Sequence, residues 1–289
     1  MTAQSSLLGI IGGSGLYRME GLVHADETVL DTPFGSPSDA YVVGRLGNQR
    51  VAFLPRHGIG HRLAPGELNY RANIHGFKQL GADAIVSISA VGSLREEISP
   101  GHVVVPDQFI DRTRGRISTF FGGGCVAHVS FADPFCSPLS KLVAESVRDA
   151  GATVHEGGTY VCMEGPMFST RAESHLYRSW GASVIGMTNL QEAKLAREAE
   201  ICFATIALAT DYDCWRTETD DVAVTDILAV LEANVELARR AVVRIAAGLA
   251  AVRRTCNCGR ALDHAVITSP QAIPPATRER LKLLIGRLT

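Results

Sequence analysis

The sequence predicts a single α/β domain: a mostly parallel, mixed central sheet with helices on both faces. Three observations carry this expectation. Short apolar runs closed by glycine turns alternate with segments whose apolar residues recur at helical spacing, the pattern of strand–helix–strand units. Most of these runs are continuously apolar instead of alternating, as in strands covered on both faces. No domain-length linker or internal repeat interrupts the alternation in 289 residues, so residues 1–289 are expected to form one domain, with 254–289 as a C-terminal extension.

The elements follow in order. Residues 7–11 are an apolar run that stops at Gly12-Gly13-Ser14-Gly15, a buried strand entering a tight turn whose backbone N–H groups can approach an anion. The turn is not a dinucleotide fingerprint, because Arg18 stands where a third glycine is required, and the P-loop lysine is missing as well. Residues 41–46 and 50–54, separated by Gly47-Asn48-Gln49, read as a hairpin, and Arg56-His57-Gly58 follows directly. Residues 69–80 read as an amphipathic helix closed by Gly81, leading into a buried strand, 84–90, whose end places Ser89 and the Gly92 turn at a sheet edge. A further strand is expected over 102–109, and after it a polar, glycine-rich loop, 112–124, of the kind that often carries function.

Residues 137–150 form a helix with Pro138 in its first turn and Gly151 after it. The strand 159–163 is broken by Glu164-Gly-Pro-Met-Phe-Ser169, and Thr170 opens a helix that Gly181 ends. The strand 182–186 ends at Met187-Thr188. Residues 191–200 are helical by composition, with Glu192, Lys194, Arg197 and Glu198 expected to face water. From 225 to about 252 apolar positions recur at helical spacing, but Glu232, Glu236, Arg239, Arg240 and Arg244 break any lipid-facing surface, so this is a packing helix. Pro270, Pro274 and Pro275 keep 268–275 non-helical, and a last helix covers 276–288.

Composition narrows the function. Apolar residues make up 46% and charged residues 20%, enough for one large core and far from a disordered chain. A formal charge of −2 exerts no strong pull on nucleic acid or anionic lipid, yet leaves room for a basic pocket that takes a small anion. A small-molecule ligand is therefore expected, with no nucleic-acid or membrane partner. Residues 1–6 are polar and lack the basic and apolar regions of a signal peptide, so a cytoplasmic protein is expected. Seven cysteines scattered through apolar stretches read as small core residues. Cys256-Asn-Cys258 stands apart, as exposed thiols, a strained redox pair, or half of a zinc site with His264. No second closely spaced pair completes the zinc set, so no metal is expected.

The apolar run that begins near Cys202 ends in Asp211 and Asp213. If extended geometry persists, both carboxylates project to one side and Tyr212 to the other. Two like charges partly withdrawn from water raise the pKa of at least one of them. Such a pair can offer a proton to a leaving group that departs with negative charge on a ring nitrogen. The alternative is that Asp211 caps the following turn and Asp213 is solvated.

Eight motifs occur in one order: Gly12-Gly-Ser-Gly15, Arg56-His57-Gly58, Val91-Gly-Ser-Leu-Arg-Glu-Glu97, Glu164-Gly-Pro, Thr170-Arg-Ala-Glu173, Met187-Thr188, Glu192 to Glu198, and Thr210-Asp-Tyr-Asp-Cys-Trp215. Together, from Leu7 to about Leu249, the chain resembles the trimeric purine nucleoside phosphorylase family, in its branch that cleaves 5′-methylthioadenosine. The resemblance implies phosphate-driven cleavage of a glycosidic bond in purine and methionine salvage, with phosphate as co-substrate and no cofactor. It also implies a homotrimer or a multiple of trimers.

Carried over residue by residue, the resemblance assigns phosphate to Ser14, Arg56, His57, Ser89, Ala90 and Thr188. Read without it, Arg56 is either an anion ligand or a structural ion pair. The resemblance puts Met187 against the ribose, Phe168 on the purine face and Ser169 beside the purine's polar edge, where composition alone gives core positions for Met187 and Phe168. Asp211 matches the residue facing purine N7, with Asp213 near the exocyclic amino group, and His128 matches a residue that reaches a neighbouring subunit's pocket. The 6-oxopurine branch has asparagine where this chain has Asp211 and histidine where it has Val224. Val222, Val224 and Leu228 make an apolar wall suited to a methylthio group, and a broader purine nucleoside phosphorylase acting on adenosine, inosine or methylthioinosine is the alternative. Met167, Ser14 and Gln191 depart from the family's usual arginine, threonine and proline.

Overall fold

The computed structural model describes residues 6–13, 15–16, 19–216, 224–250 and 255–288, with the backbone alone for 224–233. Among the described residues, eleven strands form one sheet: β1 (Leu7–Gly12), β2 (Leu22–Thr28), β3 (Tyr41–Leu46), β4 (Gln49–Pro55), β5 (Ala82–Ser93), β6 (Val103–Val105), β7 (Gln108–Arg112), β8 (Val154–Glu156), β9 (Thr159–Met163), β10 (Val184–Gly186) and β11 (Cys202–Asp211). The helices are α1 (Tyr70–Gln79), α2 (Ser137–Asp149), α3 (Arg171–Ser179), α4 (Asn189–Glu198), α5 (Val224–Leu249) and α6 (Pro275–Ile285). The sheet runs β2-β3-β4-β1-β5-β10-β9-β7 and branches at β5, whose length lets it pair β11 as well, with β6 and β8 beyond.

Strand alternation sorts the core into two layers. Leu8 and Ile10 of β1, Val86 and Ile88 of β5, and Ile206 and Leu208 of β11 pack against α2 and α5 through Leu139, Val143, Val242 and Ile245. The intervening residues Leu7, Ile11, Ile85 and Phe203 face α1, α4 and α6 through Ile74, Phe77, Leu195 and Leu284. This arrangement is the expected mixed sheet with helices on both faces. Gly9 is required where it stands, since a Cβ there would lie 2.7 Å from the Phe77 ring of α1. Local signals set the helix starts: Asn69 caps α1 by accepting from Ala72 N–H, and Thr170 and Glu173 form a reciprocal capping box on α3.

Several expectations are corrected. The strand expected over 102–109 is two strands, β6 and β7, because Pro106 lacks the N–H a continuing ladder needs, and the halves pair with different neighbours. β2 was hidden by its exposed, polar sequence at the sheet edge. A short 3-10 turn, Pro270–Ala272, sits in the segment read as wholly non-helical. The largest correction is α4: Glu192 and Glu198 are buried, not solvated, for the helix is packed between sheet and loop 113–135. Glu198 accepts from Thr119 Oγ1 and Phe120 N–H, both at 2.7 Å, which satisfies its carboxylate in the interior. None of the described helices is long and apolar enough to cross a membrane.

Candidate active site

Strands β1, β4, β5 and β11 run parallel, so their carboxyl ends deliver Gly13, Arg56, Ser89 to Gly92, and Asp211 to one edge of the sheet. This is where open α/β sheets form ligand crevices. The crevice has a volume of about 890 Å³, within the range of small-molecule sites. Of the residues singled out by sequence, Arg56, His57, Ser89, Ala90, Phe168, Met187, Thr188, Asp211 and Asp213 all line it.

One end of the crevice is cationic and tightly bonded. Arg56, only 3% exposed, donates from Nε to Glu192 Oε1 at 2.6 Å, from Nη2 to Ser87 Oγ at 2.6 Å and Glu192 Oε2 at 3.3 Å, and from Nη1 to Ile88 O at 2.9 Å. The ion-pair reading of Arg56 holds, and the residue also lines the crevice. A guanidinium has five N–H donors, and these bonds leave one Nη1 hydrogen for a ligand. Burial works against the Arg56 charge, and the ion pair with Glu192 more than restores it. Ser87 Oγ donates to Glu192 Oε2 at 2.6 Å and accepts from Asn189 Nδ2 at 2.9 Å, closing a buried polar network. Thr188 stands at the N-cap of α4 without using its side chain as a cap, so the positive end of that helix lies at the same wall.

His57 is neutral at pH 7. Burial, with the Arg56 guanidinium beside it, pulls its pKa down to about 4. Its Nδ1 meets Leu63 O at 2.8 Å and its ring stacks on His61 at 4.2 Å. Because a carbonyl oxygen only accepts, Nδ1 carries the hydrogen and Nε2 is left as an acceptor.

The other end is acidic and apolar. Asp211 Oδ1 accepts from Asp213 N–H and Oδ2 from Thr210 Oγ1, each at 2.7 Å. The expected extended geometry stops at Asp211, because Asp213 is left-handed with φ 50°. The carboxylates share a wall through this turn instead of through strand alternation, while Tyr212 turns away to Ser99 Oγ at 3.0 Å. The capping alternative thus holds for Asp211 in part, and the solvated Asp213 does not, since that side chain is buried. Burial raises both carboxyls above the ordinary carboxylate range, and for Asp211 the nearby Asp213 charge adds to the effect. Ser174 and Ser169 hydroxyls lie near Asp213 and pull against that rise, yet Asp213 Oδ2 is buried without a hydrogen-bond partner.

Phe168 overhangs the crevice half exposed, on the segment 164–169. Gly165 has φ 67°, and a Cβ there would sit 2.6 Å from Met187 Sδ, so the thioether fits only against glycine. Arg116, from the loop expected to carry function, fixes this corner: Nε binds Glu164 Oε1 at 3.0 Å and Nη1 binds Met187 O at 2.5 Å.

Ser169 is not part of the crevice wall; its hydroxyl points to Met163 Sδ at 3.7 Å. His128 is exposed and away from its own chain's crevice, its N–H donating to Ala265 O at 2.9 Å. Ser14, Val222 and the side chains of Val224 and Leu228 lie outside the described residues. Sequence reasoning missed Glu192, Arg116 and the α5 residues Val235 and Ala238 that complete the wall. Glu192 sat inside a quoted motif, which was its only signal. Cys256 and Cys258 are corrected too: Cys258 is buried and Cys256 half-buried, because the tail folds back against Cys136 and Cys202, and His264 is exposed.

The model of the phosphorylase superfamily matches residues 7–247. S-methyl-5′-thioadenosine phosphorylase of Geobacter sulfurreducens is 60% identical over 281 residues, covering 97% of this chain and 98% of the relative. The enzyme of that name from Koribacter versatilis is 60% identical over 280 residues, covering 97% and 96%. Among solved structures, a methylthioadenosine phosphorylase from an Antarctic soil metagenomic library superposes with a TM-score of 0.93 at 47% identity, covering 97% of this chain and 99% of the other. The Schistosoma mansoni methylthioadenosine phosphorylase in complex with adenine gives 0.84 at 36% identity, covering 89% and 96%. The chain belongs to the phosphorylase superfamily, among its S-methyl-5′-thioadenosine phosphorylases.

Proposed function

We propose that this chain cleaves 5′-methylthioadenosine with phosphate, giving adenine and 5-methylthioribose 1-phosphate. The observation that carries the reading is one crevice with a buried cation and a helix N-terminus at one end and two carboxyls of raised pKa at the other. Relatives at 50–60% identity carrying that enzyme name support it.

Phosphate docks on the remaining Arg56 Nη1 hydrogen and the α4 N-terminus, under the sugar. As the bond from sugar to purine N9 lengthens, the sugar becomes cationic and the phosphate dianion stabilises it from below. Asp211, whose pKa is raised by burial, faces purine N7 and is the group that offers a proton there as charge grows on the ring. Thr210 Oγ1 lies between Asp211 Oδ2 at 2.7 Å and Val91 O at 3.3 Å, so its hydroxyl turns to the carbonyl when Asp211 holds the proton. Asp213 Oδ2 accepts from the exocyclic amino group. Phosphate then forms the new bond to the sugar's anomeric carbon, and no covalent enzyme intermediate is needed.

Base release should require phosphate and should be faster for adenine from methylthioadenosine than for hypoxanthine from inosine. Equal rates in phosphate-free buffer would overturn the reading. The reading includes a cytoplasmic homotrimer or a multiple of it, in which exposed His128 completes a neighbour's pocket. A mixture of inactive His128→Ala and Asp211→Ala chains should regain activity, and a fully active monomer in solution would exclude the shared site.

A further inference from the structure

Cys136, Cys202, Cys256 and Cys258 come from three distant parts of the chain, yet their sulfurs all lie within 4.8 Å of one another. Cys136 is the N-cap of α2, Cys202 opens β11, and the Cys-Asn-Cys pair follows α5. We propose that these four thiols form a closed tetrathiolate site for a zinc-like divalent cation, which ties the C-terminal segment to α2 and the start of β11.

The geometry fits. Zinc–sulfur bonds of about 2.3 Å place the six sulfur–sulfur edges of a tetrahedron at about 3.8 Å, so the cluster needs only a small contraction. Cys202 Sγ and Cys256 Sγ are 3.5 Å apart, near that edge and well beyond the roughly 2.05 Å of a disulfide. Three of the four residues are buried, and Cys256 lines a cavity of about 40 Å³ with Cys136 and Cys202, giving an ion a way in beside Asp83. The N-terminus of α2 meets Cys136, where the helix dipole favours an anionic ligand. On binding, each thiol loses its proton to solvent and no electron moves.

Four protein ligands leave no open position, so the site is structural. It lies at the opposite end of β11 from Asp211, about 30 Å away at 3.3 Å per residue. What it holds is the tail: Leu262, Ile273, Leu281 and Leu284 pack against Phe120 and Phe121 of the loop 113–135.

The test uses the full-length protein, purified under reducing conditions without chelator. Metal analysis should find one zinc per chain, and replacement by Co²⁺ should give the intense visible bands of a tetrahedral tetrathiolate. The double variant C256S/C258S should lose the metal and melt at lower temperature while keeping methylthioadenosine turnover, and C125S should keep the metal. The wild-type measurement stands even if the double variant does not fold. Metal-free protein in which all seven thiols titrate would overturn the proposal. So would protein whose mass is lower by two hydrogens per bridge, which would mean disulfides.

Discussion

The two ends of the crevice are built on different plans. The Arg56 end is closed and bonded before any ligand arrives: Arg56, Ser87, Asn189 and Glu192 are all buried and hydrogen-bonded to one another. The Asp211 end is left unfinished, with Phe168 at 51% exposure, Met167 at 77%, and a buried Asp213 oxygen that has no hydrogen-bond partner. A doubly charged anion must be met by dipoles that are already oriented, since reorienting them during reaction would consume the stabilisation they supply. A flat aromatic base is instead bound largely by contact area, which a movable edge can provide after entry.

The largest expected effect breaks the first plan. Arg56→Ala leaves Glu192 as an uncompensated buried charge and should destabilise the fold by about 3–5 kcal/mol, measured by urea unfolding. It should also raise the phosphate KM at least tenfold, the loss of a charge-assisted bond of about 1.5–3 kcal/mol. The paired change Arg56→Met with Glu192→Leu should recover most of the stability and none of the phosphate affinity. Recovery of both would mean that Arg56 is a structural residue alone.

His57 sharpens the same end through pH. Its folded pKa of about 4 lies below the reference 6.5, so the unfolded state takes up a proton first as pH falls. The stability present above pH 6.5 should decline toward pH 4 by about 3 kcal/mol, at roughly 1.4 kcal/mol per pKa unit. Unfolding curves of the wild type and His57→Asn across that range should differ in slope, and parallel curves would refute the assignment.

At the other end, Asp211→Asn keeps an amide that can donate to N7 but removes the titratable proton. The ratio of kcat/KM for methylthioadenosine over methylthioinosine should fall about tenfold or more, because an unpaired polar contact costs about 1–3 kcal/mol. An unchanged ratio in a folded variant would leave Asp211 as a turn cap, the role its bond from Asp213 N–H already shows. The smallest effect belongs to Phe168→Ala. Half exposed, this ring should cost little stability on removal, and nucleoside KM should rise by about 0.5–1.5 kcal/mol worth of stacking, up to roughly tenfold.

Legibility in the sequence divides along range of interaction. Strands and helices were readable because their signals lie within one element: the apolar run of β11, the capping box of Thr170 and Glu173, and the glycines after α1 and α3. The crevice was readable where a strand ended in a charged residue, as at Arg56 and Asp211, since parallel strands bring their carboxyl ends to one edge. The partners of those residues were not readable. Glu192 lies 136 residues from Arg56, and on a helix with Lys194 and Arg197 its composition looks like a solvated face.

The sequence by itself determined the mixed α/β sheet, the order of its motifs and the residues at its strand ends, because backbone periodicity and turn chemistry act over a few neighbours. Only the tertiary structure decided which polar groups are buried together. Glu192 meets Arg56, a left-handed Asp213 turns back to Asp211, and Cys256 and Cys258 return to Cys136 and Cys202. Packing brings these groups out of water, and once desolvated they are stable only as partners, a condition that no local spacing in the chain expresses.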